Sequence, residues 1–118
     1  MEVLKKIAAV DMYIEAFERS DMAIIKELYA QDAVVEDPVG TDVHRGIDAI
    51  CAFYEGALAS GAKLVPTGTP RCAGNAVAFP FQVTMPGMAI DVIDVFEFDE
   101  QGKIAFMKAY WGPENLVS

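Results

Sequence analysis

The sequence predicts an α+β domain in which a curved, mostly antiparallel sheet wraps around three N-terminal helices. One observation is the order of the hydrophobic patterns, because apolar residues recur every three or four positions in the first half and alternate in the second. Another is composition, since 53% of the 118 residues are hydrophobic. This high fraction indicates a lined cavity, a buried subunit interface, or both. The length fits one domain, residues 1–118.

Apolar periodicity predicts three helices in the first half of the chain. The apolar residues recur at spacings of three and four, which places them on one face of each helix. Either Ser20 or Asp21 caps the second helix, and the third helix follows Gly46. The three inner faces consist of Val3, Ile7, Val10, Ile14 and Phe17, then Ile24, Ile25, Leu28 and Tyr29, and then Ile47, Ile50, Phe53 and Tyr54.

Alternating apolar residues predict the strands. A short strand at 33–37 ends in the turn Pro38-Val39-Gly40, and a weak edge strand with two prolines lies within 61–71. Three longer strands follow, at 76–85, 89–98 and 103–111. In the last of these we assign one face to the interior and the other to the outside. The inner set is Ala105, Met107, Ala109 and Trp111, and the outer set is Ile104, Phe106, Lys108 and Tyr110.

Charge and composition exclude several classes of partner. The formal charge of −9 excludes nucleic acid and anionic membrane surfaces, because nine scattered Lys and Arg residues supply no basic patch. No apolar run approaches the roughly 20 residues that cross a bilayer. The N-terminal segment predicts an amphipathic helix rather than a signal peptide, so we expect a cytoplasmic protein. Cys51 and Cys72 are expected to be reduced thiols, His44 is expected at the surface, and no metal site is predicted.

One acidic residue interrupts an otherwise apolar strand face. An unpaired buried carboxylate is costly, so such a group usually keeps its proton and becomes a hydrogen-bond donor. A neutral donor stabilises a developing oxyanion without adding positive charge. The alternative is structural: a bulge, a pair with Lys108, or a register shifted by one residue. The face consists of Ile90, Val92, Asp94, Phe96 and Phe98.

Two further positions bear on the role of Asp94. Tyr13 borders the inner stripe of the first helix, where it is either a core aromatic or a donor into the interior. Glu36 and Asp37 lie at a strand end just before Pro38. Alternation sends their side chains to opposite faces, so one carboxylate faces inward while the other is solvated. A charged loop entrance is the alternative explanation of this pair.

These stretches together resemble the ketosteroid isomerases (steroid Δ-isomerases), members of the nuclear transport factor 2-like, or SnoaL-like, fold group. The resemblance implies a cone-shaped fold with an apolar cavity. It also implies cofactor-free isomerisation, in which the double bond of an unconjugated 3-oxosteroid moves into conjugation through a dienolate. VEDPVG and DVIDVFEFDE are the most specific of the matching segments. In the family's order, the segments are YIEAFERSDMAII, LYAQDAVVEDPVGT, GIDAICAFYEG, VAFPFQV, DVIDVFEFDEQGKI and MKAYW.

The resemblance implies a role for three residues in particular. Asp37 matches the catalytic base, Tyr13 the oxyanion-hole tyrosine and Asp94 the oxyanion-hole aspartic acid. The neutral state of that aspartic acid is an established property of the family. Tyr29 and Tyr54 match tyrosines that form, in some members, a hydrogen-bond chain behind the oxyanion-hole tyrosine. Core packing explains these two tyrosines equally well.

A flat, rigid steroid needs apolar walls more than polar contacts. Two sources give the candidate wall residues, and ordinary core packing is the alternative for each of them. By resemblance, apolar lining is expected from Phe81, Met107 and Trp111. By face assignment, it is expected from Val39, Phe53, Phe79, Val83 and Val92.

The same fold supports other functions, so two alternatives stay open. A related enzyme of polyketide-cyclase type would also use an acid–base carboxyl in an apolar cone. A non-catalytic module would bind a hydrophobic ligand and would need neither a base nor two donors. The family forms dimers through its sheets, so we expect a homodimer. The apolar or aromatic outer positions that need cover are Ile93, Val95, Ile104, Phe106 and Tyr110.

Overall fold

The structure, a computed structural model, describes residues 1–117. The helices are α1 (Val3–Arg19), α2 (Met22–Leu28) and α3 (Ile47–Ala59). Among the helices of this range, none is long and apolar enough to cross a membrane. The strands are β1 (Tyr29–Glu36), β2 (His44–Arg45), β3 (Lys63–Pro66), β4 (Arg71–Ala73), β5 (Ala76–Met85), β6 (Met88–Phe98), β7 (Ile104–Tyr110) and β8 (Leu116–Val117).

The strands form one curved, unclosed sheet in the order β2-β1-β7-β6-β5-β3. Strand β4 pairs with β5, and β8 pairs with β6. Among the strand pairs of residues 1–117, only β1–β7 is parallel, and the other pairs are antiparallel. The predicted α+β fold, with helices against a curved and mostly antiparallel sheet, is therefore confirmed. Strands β5 and β6 pair over ten residues each. Because β6 also pairs with β7 on its other side, it is an inner strand of the sheet.

Local signals explain where the first two helices begin and end. Helix α1 ends at Arg19, and Ser20 caps it in a left-handed conformation with φ of 50°. The next residue, Asp21, caps α2 because its Oδ1 accepts a hydrogen bond from the amide of Ala23 at 3.0 Å. The choice between Ser20 and Asp21 is thus decided for Asp21. Tyr29 was expected on the inner face of α2, but it begins β1 instead and is fully buried there.

An aromatic cluster joins α1 to the inner face of the sheet. The ring centroid of Phe96 lies 5.1 Å from that of Tyr13 and 5.0 Å from that of Phe79. The Tyr13 ring also packs against Phe17, at 5.3 Å between centroids. Edge-to-face contacts of this kind fix ring orientation as well as burying area. Tyr13 is therefore held in place by its neighbours on both the helix and the sheet.

The register of β7 corrects the face assignment of Ile104. The sequence placed Ile104 on the outer face, but the structure buries it completely. The cause is a β-bulge: Phe98 pairs with Ile104, whereas Glu97 pairs with Phe106, so Ala105 is an extra residue on β7. Beyond the bulge, β7 follows the predicted alternation, with Met107 inside.

Candidate active site

A cavity of about 260 Å³ lies between α1, α3 and the inner face of the sheet. Its lining brings together residues far apart in the chain, and most of it is apolar. Among the residues predicted for the site, it contains Tyr13, Asp37, Phe53, Tyr54, Phe81, Val83, Val92, Asp94 and Trp111. The other lining residues are Phe17, Ala57, Ser60, Ala62, Leu64, Met85 and Ile90.

Three predicted wall residues do not line this cavity. Phe79 and Met107 face inward but are almost fully buried, and the Phe79 ring packs behind Tyr13 and Phe96. Neither face assignment, which gave Phe79, nor the resemblance, which gave Met107, could separate the cavity wall from the packed layer behind it. Val39 is 41% exposed and lines an outer groove beside Trp111 instead.

Several cavity residues were not singled out from the sequence, although simple spacing identifies some of them. Ala57 lies one helical turn after Phe53 on α3, so it faces the same side. Ile90 precedes Val92 by two residues, and Met85 follows Val83 by two, so each pair shares one face of its strand.

Asp94 lies in the middle of β6, opposite Phe79 on β5 and Ala109 on β7. Its side chain is only 2% exposed, and its Oδ1 atom has no hydrogen-bond partner within residues 1–117. Burial, with a smaller contribution from the negative charge of Asp37, raises the pKa of Asp94 well above its ordinary value. The structural alternative of a pair with Lys108 is excluded, since Lys108 is exposed and lies opposite Val95, on the outer face.

Three tyrosine hydroxyls form a buried chain that ends beside Asp94 in the cavity. The Oη atoms of Tyr13 and Tyr54 are 3.0 Å apart, and those of Tyr54 and Tyr29 are 2.6 Å apart. Burial is the main cause that raises the pKa of each hydroxyl well above its usual value, and the Asp94 carboxyl contributes. All three hydroxyls therefore keep their protons at neutral pH and can donate hydrogen bonds. The structure thus brings Tyr29 and Tyr54 together behind Tyr13.

Asp37 follows the last residue of β1 and is half-buried at the cavity. The indole Nε1 of Trp111 donates a hydrogen bond to its Oδ1 at 3.0 Å. Burial raises the pKa of Asp37, while the Trp111 hydrogen bond and the charge of His44 oppose that increase. Glu36 does not line the cavity, and its Oε2 accepts a hydrogen bond from the amide of Gly40 at 2.9 Å. Of the two adjacent carboxylates, Asp37 is thus the one at the cavity.

The backbone around Asp37 is anchored to the neighbouring strand. The Asp37–Pro38 peptide bond is cis, and the amide of Val39 donates to the carbonyl oxygen of Ala109 on β7 at 2.8 Å. Ala109 lies opposite Asp94 in the sheet. The segment that carries Asp37 is therefore tied to the strand next to the one that carries Asp94.

His44 corrects a second expectation. The sequence placed it at the surface, but it is half-buried, and its ring lies against Phe53 with centroids 4.4 Å apart. No motif distinguished this residue. Its environment follows from the pairing of the two-residue strand β2 with β1, which sequence patterns do not reveal.

The arrangement combines one proton acceptor with two proton donors in an apolar space. A carboxyl group that is half-buried and accepts a hydrogen bond from an indole can act as a base. A fully buried hydroxyl and a buried carboxylic acid can both donate to one oxygen atom. The described residues contain no cluster of three or more His, Cys, Asp or Glu side chains that could hold a metal ion.

Comparisons with known proteins agree with this architecture. Residues 10–107 match the SnoaL-like domain family. The chain is 40% identical over 114 residues to a steroid Delta-isomerase of Nocardioides simplex, covering 93% of this chain and 92% of that protein. It is 31% identical to the epoxide hydrolase LasB of Streptomyces lasalocidi, covering 94% of this chain but 42% of that protein.

A solved structure also matches nearly the whole chain. It is that of SalBIII, an epoxide hydrolase/cyclase-like enzyme with a role in pyran ring formation in the polyether salinomycin. The TM-score is 0.88 and the sequence identity is 27%, and the match covers 96% of this chain and 95% of that one.

Proposed function

Because this chain belongs to the SnoaL-like family, and within it to the ketosteroid isomerases, we propose that it is a steroid Δ-isomerase. The observation that carries the proposal is the presence of Asp37, Tyr13 and Asp94 in one apolar cavity. A hydrophobic small molecule, an unconjugated 3-oxosteroid, is the proposed substrate. The reaction moves a proton within the substrate and needs no cofactor.

The first step is removal of a proton from carbon. Asp37 takes the proton from the carbon that lies between the carbonyl group and the alkene. The electron pair of that C–H bond is delocalised into the neighbouring carbonyl group and alkene. The product of this step is a dienolate, with its negative charge on the ketone oxygen. The Trp111 hydrogen bond to Oδ1 orients the carboxylate of Asp37 and leaves its Oδ2 for the proton.

The second requirement is stabilisation of the dienolate oxygen. Tyr13 and protonated Asp94 both donate hydrogen bonds to it, and neither adds positive charge to the cavity. The donors are already desolvated, so no water must reorganise as charge develops on the oxygen. The Tyr29–Tyr54–Tyr13 chain supports the Tyr13 hydroxyl, because each hydroxyl that accepts a hydrogen bond becomes a better donor.

The last step returns the proton. Asp37 gives it to the far carbon of the conjugated system, so the product is the conjugated enone and the base is regenerated. One carboxyl group serves two carbons on the same face of the substrate. Its position beyond the end of β1 and its partial exposure are consistent with the small movement that this transfer needs.

The base is tested by Asp37→Asn. The amide preserves shape and still accepts from Trp111, but it takes up no proton from carbon, so we expect kcat to fall about 100- to 10,000-fold. Turnover of an unconjugated androstene ketone is followed by the absorbance of the conjugated enone. Glu36→Gln is the matched control, and it should keep nearly wild-type activity. Undiminished turnover in Asp37→Asn would sink the proposed mechanism.

The donor role of Asp94 is tested by comparing two substitutions. Asp94→Asn keeps a neutral hydrogen-bond donor, so we expect a loss in kcat of no more than about tenfold. Asp94→Leu fills similar space but removes the donor, so the loss should approach about 100- to 1,000-fold. The same enone assay measures both variants. Equal losses in the two variants would contradict the donor role.

A second candidate function is the opening of an epoxide, as in cyclases that form ether rings. The likeness to LasB and SalBIII favours it, together with a neutral acid and a carboxylate in one cavity. Asp37 would take the proton of the attacking hydroxyl as that oxygen forms the new C–O bond and the epoxide C–O bond breaks. Asp94 would give its proton to the released oxygen, and Tyr13 would donate a hydrogen bond to it. Absence of enone formation together with opening of a hydroxy-epoxide would favour this function over the isomerase. A non-catalytic ligand-binding module would show neither reaction.

We further propose that the protein is a homodimer through the outer face of its sheet. Ile93, Phe106 and Tyr110 lie there and are 47%, 48% and 47% exposed, which favours cover by a second copy. Sedimentation should give twice the 12.8 kDa of one chain, and Phe106→Glu should shift the protein towards monomer. A monomeric wild-type protein at micromolar concentration would overturn this assembly. The cytoplasmic location stays a prediction.

A further inference from the structure

Strand pairing brings His44 to the corner of the cavity where the proposed base lies. In the β1–β2 ladder, His44 is directly opposite Val35, whose side chain is fully buried on the inner face. Asp37 is two residues beyond Val35, so its side chain and that of His44 are directed to the same face. Side chains related in this diagonal way are about 7–8 Å apart at the backbone, within reach of long or ring-shaped groups.

A second contact orients the imidazole ring. The ring of His44 is inclined by 30° to the ring of Phe53, with 4.4 Å between their centroids. Phe53 lies on α3 and lines the cavity. His44 is therefore held between β1 and the cavity wall rather than extended into solvent.

The other charged side chains described near this corner of the cavity do not bring a positive charge to Asp37 as His44 does. On the cavity side, Asp37 shares the lining with Asp94, which brings no positive charge. From β1 itself, the Glu36 carboxylate is bound to the Gly40 amide. The side chains of three further charged residues that neighbour β2 are exposed: Arg45 in β2, Asp42 before it and Asp48 in the first turn of α3.

On the outer side of the sheet, Lys108 is opposite Glu36 in the β1–β7 ladder and is also exposed. Within residues 1–117, His44 is the one charged side chain that favours the ionised form of Asp37. The strand pairing and ring contact that place His44 at this corner, and the charge that favours ionised Asp37, thus point to the same residue, His44.

We infer that His44 is a positioning residue for the catalytic base: its imidazolium, held against Phe53, stabilises ionised Asp37 at the edge of the cavity. The inference rests on the proposed function only in that Asp37 is taken to be the base. Nothing in the sequence or in the matched family segments distinguishes His44 for this task.

The direction in which His44 shifts the pKa of Asp37 follows from the charge of its side chain. The positive charge of His44 lowers the pKa of the Asp37 carboxyl group. A variant without that charge should therefore hold a higher pKa at Asp37, and less of the base should be ionised at a given acidic pH. At a pH where Asp37 is fully ionised in both proteins, wild type and variant should become equally active. A purely structural defect would lower activity at every pH.

Trp111 offers a direct readout, because it is the single tryptophan of the chain and donates to Asp37. Its fluorescence, titrated from acidic to neutral pH, reports protonation of Asp37 without any substrate. In His44→Gln we expect the midpoint to rise by about half a pH unit or more, and high salt should shrink that shift. His44→Arg keeps a positive charge and should restore a wild-type or lower midpoint. Arg45→Gln, on the same strand, is the matched control and should change nothing.

Asp37→Asn identifies the transition, since it should abolish the titration that belongs to Asp37. The acid limb of the kcat/KM profile for enone formation should move together with the fluorescence midpoint in each variant. An unchanged midpoint in His44→Gln would overturn the inference, and so would an equal rise in His44→Arg. A fluorescence shift without any turnover would retain the role of His44 and reject the proposed isomerase function instead.

Discussion

Asp94 presents a carboxyl group to an apolar interior, and the chemistry of the site depends on the free-energy cost of ionising that group. The side chain is 2% exposed, and its Oδ1 atom has no hydrogen-bond partner in the described part of the chain. Keeping the proton is the least costly response, since an isolated buried carboxylate has nothing to offset its lost hydration. We therefore propose that Asp94 is a neutral donor on the wall of the apolar cavity.

The rest of the fold keeps Asp94 in this environment. Strand β6 lies between β5 and β7, so neither solvent nor a free strand edge reaches the middle of the strand. Phe96 and Phe79 cover the sheet beside it, and α1 packs Tyr13 over them. The tyrosine chain then supplies a second neutral donor without introducing a charge.

The two carboxyl groups of the cavity lie in different surroundings, and the opposite roles that we propose for them follow from that difference. Asp94 is fully buried, whereas Asp37 is half-buried, accepts a hydrogen bond from Trp111 and has His44 nearby. The Trp111 hydrogen bond and the charge of His44 favour ionised Asp37, and the negative charge of Asp37 in turn raises the pKa of Asp94. Ionisation of one group therefore helps the other to stay neutral. Paired carboxyl groups in contrasting environments commonly divide base and acid roles in this way.

Sequence patterns predicted the features that depend on local periodicity and on family resemblance. Alternation identified Asp94 as an acid on an apolar face, and helical spacing placed Tyr13 beside the core. Alternation could not anticipate the bulge at Ala105, which turns Ile104 inward, because a bulge depends on the partner strand.

Local sequence patterns also fail to show which residues lie at the wall of the cavity and which at its edge. Face assignment selected Phe79 and Met107 correctly as inward residues, but only three-dimensional packing shows that they lie behind the wall. His44 was missed because its environment arises from strand pairing and from Phe53 on a distant helix, and no local pattern encodes that contact.

The proposed mechanism depends on Asp94 keeping its proton at neutral pH, and NMR spectroscopy can measure that protonation state. The chemical shift of a ¹³C-labelled aspartate side-chain carboxyl carbon distinguishes the acid from the carboxylate, and Asp94→Asn assigns the signal by removing it. We expect the Asp94 signal to have the shift of a neutral carboxylic acid at pH 7. A signal at the position of an ionised carboxylate, in folded protein at that pH, would contradict it.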